Sequence, residues 1–497
     1  METRYENYLK TTVKQAGMVF FVRVVGYLLG FVLQLVFARL LGVGLYGLYS
    51  LGFTVVNVGV LFSTLGMSSG AVRFLGEYVG KREWGKVRFL LGVIFKTSLV
   101  VSSASAIFLV VFRRPLARVF NEPQLEGLFI WFSAVIFFYT LMNILSGIFQ
   151  GFKKPSIFVF WKDVMERSLR IAFFITFYLI GLKLMGAVVA TVISSIIVVL
   201  SLFSNLVKLT RPFWKEEISP IDIKSFFTYS LSMLFVGFTY FLMGQVNQLI
   251  LGVFSDSTSV GLYTIANTVA QLLVFFLGSF NMIFAPIISE LYHTGQKETL
   301  SRMYSNLTRW IVSLTTPLFL WIVSFSKEIL ALFGTDYIAA RNALIVLSVA
   351  QLVNAAVGSN GFLLSMTKYQ RYEMLNGVVV ASLNVVLNIL LVPKYGVLGS
   401  AVGGALAIAS VNIIKMIEVY FALRMIPYNL RYIKPIIASV IVWVVFMFLR
   451  HIFGGFVLVL VSLLAGFVTM FLVLSLLGLY EEDKMILRSI FRRLKKL

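Results

Sequence analysis

Arg23 stands alone among apolar neighbours, with Phe20, Phe21 and Val22 before it and Val24 and Val25 after it. A charge at the centre of a membrane helix costs about 2.5–3.5 kcal/mol on the insertion scale, so such a residue is a functional candidate by default. It lies some ten residues into its run, too deep for easy snorkelling. A purely structural role remains open to it, with a neighbouring helix carbonyl or Gln34 as partner. Arg39, at the outer end of the same run, is either a second functional cation or an interfacial anchor. Lys96 sits a third of the way into a later run and has no obvious local partner. All three are cations. A cationic cleft with low-dielectric walls attracts an anion, and the planar fork of arginine suits phosphate oxygens.

Other charges come already matched. Asp163 with Arg167, and Glu166 with Arg170, are spaced i,i+4, the spacing of self-paired residues on one helical face. That pattern predicts a salt-bridge ladder rather than a binding site. Lys415 and Glu418, spaced i,i+3, are expected to pair in the same way. Asn143, Asn247 and Asn354 lie inside apolar runs, where amides either bond sugar hydroxyls or join one helix to another. Two short motifs are discounted. Gly80-Lys-Arg-Glu-Trp-Gly-Lys86 resembles a phosphate-binding loop, but Val87 stands where Mg²⁺ binding needs a hydroxyl and no strand precedes it. Asn306-Leu-Thr308 spells a glycosylation sequon, yet it falls on the face assigned below to the cytoplasm.

The elements that must carry these residues are membrane helices. Of 497 residues, 59% are hydrophobic and only 13% are charged, against about a quarter charged in soluble domains. A span needs about 20 apolar residues as a helix, and blocks of that length recur from end to end. They do not alternate as barrel strands would. Approximate spans are 13–40, 45–67, 88–112, 128–150, 157–180, 186–208, 226–251, 260–285, 307–325, 341–365, 372–392, 398–423, 434–450 and 454–479. The expected class is thus an all-α integral membrane protein of about fourteen transmembrane helices. The first block is too long for a secretory signal and is read as a retained helix. There is no cysteine, and the two histidines are His293 and His451. Neither a metal nor a cofactor is expected.

Charge placement sets the orientation. With a cytoplasmic N-terminus, twenty-nine of the 43 basic residues fall on the inner side. Nine fall outside: Arg39, Arg113, Arg114, Arg118, Lys183, Lys327, Arg341, Lys394 and Arg450. That bias predicts a multi-pass protein of the cytoplasmic membrane with both termini inside. It also accounts for most of the net charge of +22, so neither nucleic acid nor ATP is an expected partner.

The chain also repeats. Phe112-Arg-Arg-Pro-Leu-Ala-Arg-Val-Phe120 parallels Phe325-Ser-Lys-Glu-Ile-Leu-Ala-Leu-Phe333, 213 residues on. At the same offset Gly186-Ala187 answers Gly399-Ser400, and Glu77 answers Glu290. Asn143 and Gly147 match Asn354 and Gly358, and Gly44-Leu-Tyr46 matches Gly261-Leu-Tyr263, at nearly that offset. The expectation is two parallel-repeat six-helix lobes, 1–210 and 211–425, with helices 13 and 14 and a basic cytoplasmic tail appended over 426–497. Parallel repeats about an axis along the membrane normal are a transporter device.

Loose motifs then point to a family. They are Phe37-Ala-Arg-Leu-Leu-Gly42, Tyr46-Gly-Leu-Tyr49, Arg73-Phe74 with Glu77, Ser259-Val-Gly-Leu-Tyr263 with Ala266, Pro286 with Glu290, and Leu391-Val-Pro393 with Gly396 and Gly399. With these the chain resembles, over essentially its whole length, the polysaccharide-transport branch of the multidrug/oligosaccharidyl-lipid/polysaccharide flippase superfamily, which includes O-antigen flippases. The resemblance implies two lobes, alternating access, a cationic central cavity and a lipid-linked (di)phosphate oligosaccharide as cargo. Arginines of helix 1 contribute in relatives that move lipid II, and Arg23 and Arg39 match them. Relatives often carry an aspartate near the end of helix 7, where this chain has Asn247, so ion coupling from that carboxylate is not expected. The alternative is a drug/cation antiporter of the multidrug-extrusion branch, which exchanges cations on a carboxylate typically in helix 1; residues 18–41 hold no acid. An enzyme is disfavoured, because the longest outer connection, 113–127, offers only Glu122 and Glu126.

Overall fold

In the computed structural model every element is a helix, and the described residues run from Glu2 to Lys484, with side chains described from Phe21 onward. The basic residues of the two tails, Arg4, Lys10, Lys14 and those after Lys484, lie outside the residues whose side chains are described. Among the described residues eleven stretches are long and apolar enough to cross a membrane, where fourteen were expected. The shortfall has physical causes. Two of the eleven, Phe21–Thr64 and Gln370–Leu423, are each interrupted by a glycine with non-helical dihedrals: Gly42 (φ 74°, ψ 169°) and Gly396 (φ 52°, ψ −127°). These φ/ψ pairs lie outside the left-handed helical region and are essentially confined to glycine, so each stretch holds two helices about one break. The expected span 157–180 is built from three shorter pieces. The chain is a multi-pass membrane protein.

One unit comprises residues 1–265 with 392–397. Its helices are α1 (Glu2–Thr64), α2 (Met67–Lys81), α3 (Trp84–Val111), α4 (Arg113–Val119), α5 (Gln124–Gly151), α6 (Pro155–Val159), α7 (Glu166–Leu179), α8 (Lys183–Thr210), α9 (Ile223–Gly244) and α10 (Val246–Phe254). A π-helical turn, Phe160–Met165, joins α6 to α7. α5 is central and packs on α1, α2, α3 and α8. It is apolar on all sides, as a surrounded helix must be, and buries Phe129, Phe132, Ile144, Ile148 and Phe149. A Cβ on its Gly147 would lie 2.1 Å from the carbonyl oxygen of Ser68, so only glycine admits α2 at that distance. α2 also packs on α9, where Cβ atoms on Gly66 and Gly70 would meet the Ser230 carbonyl and hydroxyl at 2.0 and 2.3 Å. Close packing of this kind ties α9 and α10 to the first unit, so the packing boundary at 265 differs from the repeat boundary near 210.

The other unit comprises 266–391 and 398–497, with α11 (Ser257–Ala270) leading into it. It contains α12 (Val274–His293), α13 (Lys297–Ser324), α14 (Ser326–Ala331), α15 (Arg341–Ala356), α16 (Asn360–Ser365), α17 (Gln370–Leu423), α18 (Ile433–Ile452) and α19 (Gly455–Leu476). α13 is central and packs on α12, α15, α18 and α19. The indole N–H of Trp321 donates to the Val459 carbonyl at 3.0 Å. Phe325 meets Phe446 edge-on at 5.4 Å. The outward faces of α18 and α19 expose Val444, Phe448, Leu464 and Phe471, a pattern that fits lipid, not water.

Candidate functional site

The interior of the first unit holds a charged network, and the π-helical turn aims it. One extra residue per turn shifts the helical phase, and such bulges gather at functional sites. Asp163 lies within the turn and Arg167 one helical turn later; they pair at 3.7 Å. Both press on α1. A Cβ on Gly26 would fall 2.7 Å from the Asp163 Cβ, and one on Gly30 would fall 3.0 Å from an Arg167 Nη. Arg167 donates to the backbone carbonyl of Gly26. Two glycines spaced i,i+4 thus open a notch on α1 that accepts this pair.

A turn deeper, Glu166 and Arg170 form a buried ion pair, with 4% and 7% of each residue exposed. Arg170 also donates to the hydroxyls of Tyr139 and Tyr49. The Tyr139 hydroxyl donates to Glu166 at 2.8 Å, and Tyr49 shares a 2.9 Å hydrogen bond with Thr191. The guanidinium lies 5.7 Å from the Phe53 ring centre, within cation–π range. Its Nε alone has no partner among the described residues. On the other side of the turn Lys162 reaches Asn143 Oδ1 at 3.5 Å. Asn143 in turn donates to the Tyr139 carbonyl at 3.0 Å, and its own carbonyl accepts from Ser68. Lys162, Arg167 and Arg170 outnumber Asp163 and Glu166, so this interior is cationic by one charge.

The residues singled out in the sequence land in different places. Asn143 belongs to the network. Arg23 is exposed on α1, three residues before Gly26, and makes no hydrogen bond or ion pair among the described residues. Arg39 and Lys96 are also exposed, on α1 and α3. Asn247 is buried in α10, beside Gln248. In the second unit Asn354 donates to Gln351 at 3.3 Å. Sequence reasoning missed Tyr49, Tyr139, Thr191 and Lys162, which join the network from α1, α5, α8 and the π turn; no spacing along the chain marks them. It missed a polar ladder as well. Asn57 donates to Gln245 at 2.9 Å, Thr54 to Gln248 at 2.6 Å, and Gln248 to Thr264 at 3.0 Å.

The second unit has its own polar cluster, inside α17. Lys415 pairs with Glu373 at 2.6 Å, and Asn376 donates to Glu418 at 2.5 Å. The expected Lys415–Glu418 pairing is therefore corrected. The break at Gly396 lays the two halves of α17 side by side, and each group finds its partner across the halves. Among the described residues no three His, Asp or Glu side chains are grouped as a metal site requires.

Comparison with known proteins adds the following. A family model described as "Polysaccharide biosynthesis protein" matches residues 12–292. An uncharacterized membrane protein of Methanocaldococcus jannaschii is 22% identical over 434 residues, covering 80% of this chain and 82% of its own. A probable low-salt glycan biosynthesis flippase of Haloferax volcanii is 26% identical, over 38% of this chain and 40% of its own. The probable flippase AglR of the same organism is 26% identical over 50% and 55% respectively. Among solved structures, the lipid II flippase MurJ in an inward closed conformation superposes with a TM-score of 0.70 at 18% identity, covering 94% of this chain and 98% of its own. An inward-facing multidrug resistance transporter of the MATE family gives 0.64 at 16%, covering 81% and 98%. At these identities the two structures speak to the fold alone.

Proposed function

We propose a function from one premise: this chain belongs to the polysaccharide biosynthesis protein family. It carries a lipid-linked oligosaccharide or polysaccharide precursor across the cytoplasmic membrane by alternating access, with no chemical change to the cargo. Both termini face the cytoplasm, and the working parts are two six-helix lobes with two appended helices. Two Haloferax relatives are named as probable flippases, which supports the assignment. Arg23 and Arg39 meet the (di)phosphate, with Lys96, Asn143, Asn247 and Asn354 as further substrate contacts.

The observation that carries this reading is how the first unit disposes of its charge. Its carboxylates within the helical interior, Asp163 and Glu166, are each held by an arginine, while Arg23 is left without an acidic partner among the described residues. A cation exchanger needs the reverse, a carboxylate free to bind and release a cation. From Phe21 to Thr64 α1 contains no acid at all. The drug/cation antiporter, which shares the fold, fits these residues less well. Reconstitution into liposomes with a fluorescent polyisoprenyl diphosphate oligosaccharide tests the proposal. Protein-dependent loss of probe from the inner leaflet supports it, and transport of a cationic drug with no movement of the glycolipid refutes it.

A further inference from the structure

A groove lies between α2 and α9 at the edge of the first unit. Its lining is Arg73, Asp222, Lys224, Ser225, Thr228, Tyr229 and Ser232, and it is a shallow, open depression of about 470 Å³. The residues from α9 fall at i, i+1, i+4, i+5 and i+8, one continuous helical stripe. α2 is amphipathic. It buries Met67, Gly70, Ala71, Phe74 and Leu75 and turns Arg73 outward. α2 lies outside the apolar spans and the start of α9 is the end of one, so the groove lies at the end of a span, and lipid phosphates flank the apolar core.

Its donors are idle. The Arg73 guanidinium stacks 4.5 Å from the Tyr229 ring centre but makes no hydrogen bond or ion pair among the described residues. Glu77, one turn on, is taken by Lys81 at 2.5 Å. Lys224, and the hydroxyls of Ser225, Thr228 and Tyr229, likewise have no partner among the described residues. Ser232 is committed to the Thr228 carbonyl at 2.9 Å. Asp222 is the single acid, and its Oδ1 is occupied in capping α9 at Ser225 N, 3.1 Å away. The walls are rigid, because the glycine contacts of α2 on Ser230 fix the spacing of the two helices. Two unpaired cations with three free hydroxyls beside an apolar surface are suited to a phosphoryl group attached to something greasy.

We propose that this groove binds a phosphoryl group carried on a lipid. The chemistry has two sources, the isoprenoid (di)phosphate of the cargo at the point of entry or the headgroup of a bilayer phospholipid. The first source rests on the transport reading above; the binding itself does not. The test uses full-length protein in nanodiscs of zwitterionic lipid, with geranylgeranyl diphosphate as probe and geranylgeraniol as its phosphate-free counterpart. Lys224→Ala and Arg73→Ala are each expected to weaken diphosphate binding about tenfold or more, the worth of one charge-assisted hydrogen bond. Arg302→Ala, an exposed cation of α13 paired with Glu298, leaves it unchanged. Lys224 is exposed, so its variant reads the site even if Arg73→Ala loosens α2. Full competition by phosphatidylglycerol in the nanodisc assigns the groove to headgroups, and persistence of diphosphate binding in its presence assigns it to cargo; either supports a phosphoryl site. Equal binding of geranylgeraniol and its diphosphate, or indifference to the Arg73/Lys224 double substitution, overturns it. Protein that binds the probe yet moves no glycolipid refutes the transport reading and leaves this groove standing.

Discussion

Replacing Glu166 with glutamine tests the buried network of the first unit most directly. The substitution preserves shape and removes one charge from a pair whose side chains are only 5% and 8% exposed. Arg170 would keep the Tyr49 and Tyr139 hydroxyls as partners but lose its counter-ion in a buried site. Removing one partner of a buried pair costs about 3–5 kcal/mol, because the other charge is stranded. The reciprocal change, Arg170→Met, should cost less. A stranded carboxylate can take up a proton, whereas a guanidinium cannot lose one. With both changes together neither charge remains, and the Tyr139 hydroxyl can still donate to the amide carbonyl that replaces the carboxylate. Exchanging a whole buried pair for groups of similar volume is often neutral, so the double variant should be more stable than Glu166→Gln alone. Reversible unfolding by SDS titration in mixed micelles, followed by helicity, measures all three. The reasoning fails if Glu166→Gln costs under about 1 kcal/mol, or if the two single effects simply add within about 0.5 kcal/mol.

Other consequences can be checked separately. Arg23→Ala should abolish glycolipid movement in liposomes while insertion stays normal, and Arg23→Lys should restore part of it if charge rather than the forked geometry matters. Single cysteines replacing Lys183 and Glu298, both exposed, should react oppositely with an impermeant thiol reagent in intact cells; labelling at 298 alone would reverse the proposed orientation. Gly47→Val should cost about 1–3 kcal/mol through overpacking, since a Cβ at Gly47 would already lie 1.7 Å from the Ser257 carbonyl; unchanged thermal stability would refute the close approach. Asp483 follows the last helix, and although burial pushes its carboxyl up, hydrogen bonds from Arg309 and Trp310 more than offset this and hold it below the usual range. Its contribution is therefore present above the unfolded value of about 3.9 and lost as pH falls through the lower folded value. Asp483→Asn should cost about 1–3 kcal/mol at pH 7, and the gap to wild type should close in acid.

Much of the fold was legible because the membrane forces it. Long apolar runs must be helices when no water satisfies their backbone, and Gly42 and Gly396 sit between runs that the sequence already separates. The i,i+4 charges of α7 were legible too, since their spacing depends on one helix. What lies between helices was not. Tyr49 and Tyr139 reach Arg170, and Thr191 reaches Tyr49, from three different helices, and periodicity within one helix carries no record of its neighbours. Nothing in Phe160–Met165 announces the π turn that places Lys162 within reach of Asn143. Lys415 illustrates the opposite error. An acid stood three residues away, but the fold supplied a better partner in Glu373, 42 residues earlier.

The repeat in the sequence sharpens the meaning of the buried charges. At the offset of 213 the positions of Glu166 and Arg170 are answered by Val379 and Leu383, and that of Asp163 by Asn376. The corresponding helix of the second copy is thus made without these ions, so helix formation at this point of the repeat does not demand them. Burying ions is costly unless their geometry is excellent, and an apolar alternative is written in the same chain. The pair in the first copy therefore needs a reason other than helix formation. Its position supplies one. Arg167 and Asp163 grip the notch at Gly26 and Gly30, so the charged face of α7 fixes the stretch of α1 that presents Arg23. A guanidinium three residues from a rigid anchor is pre-organised for its anion, whereas one on a freely rotating helix would lose affinity to ordering. If Arg23 meets the cargo as proposed above, the charged pair at the notch serves transport through it, and replacing both its members, Asp163→Asn with Arg167→Met, should lower the affinity for cargo.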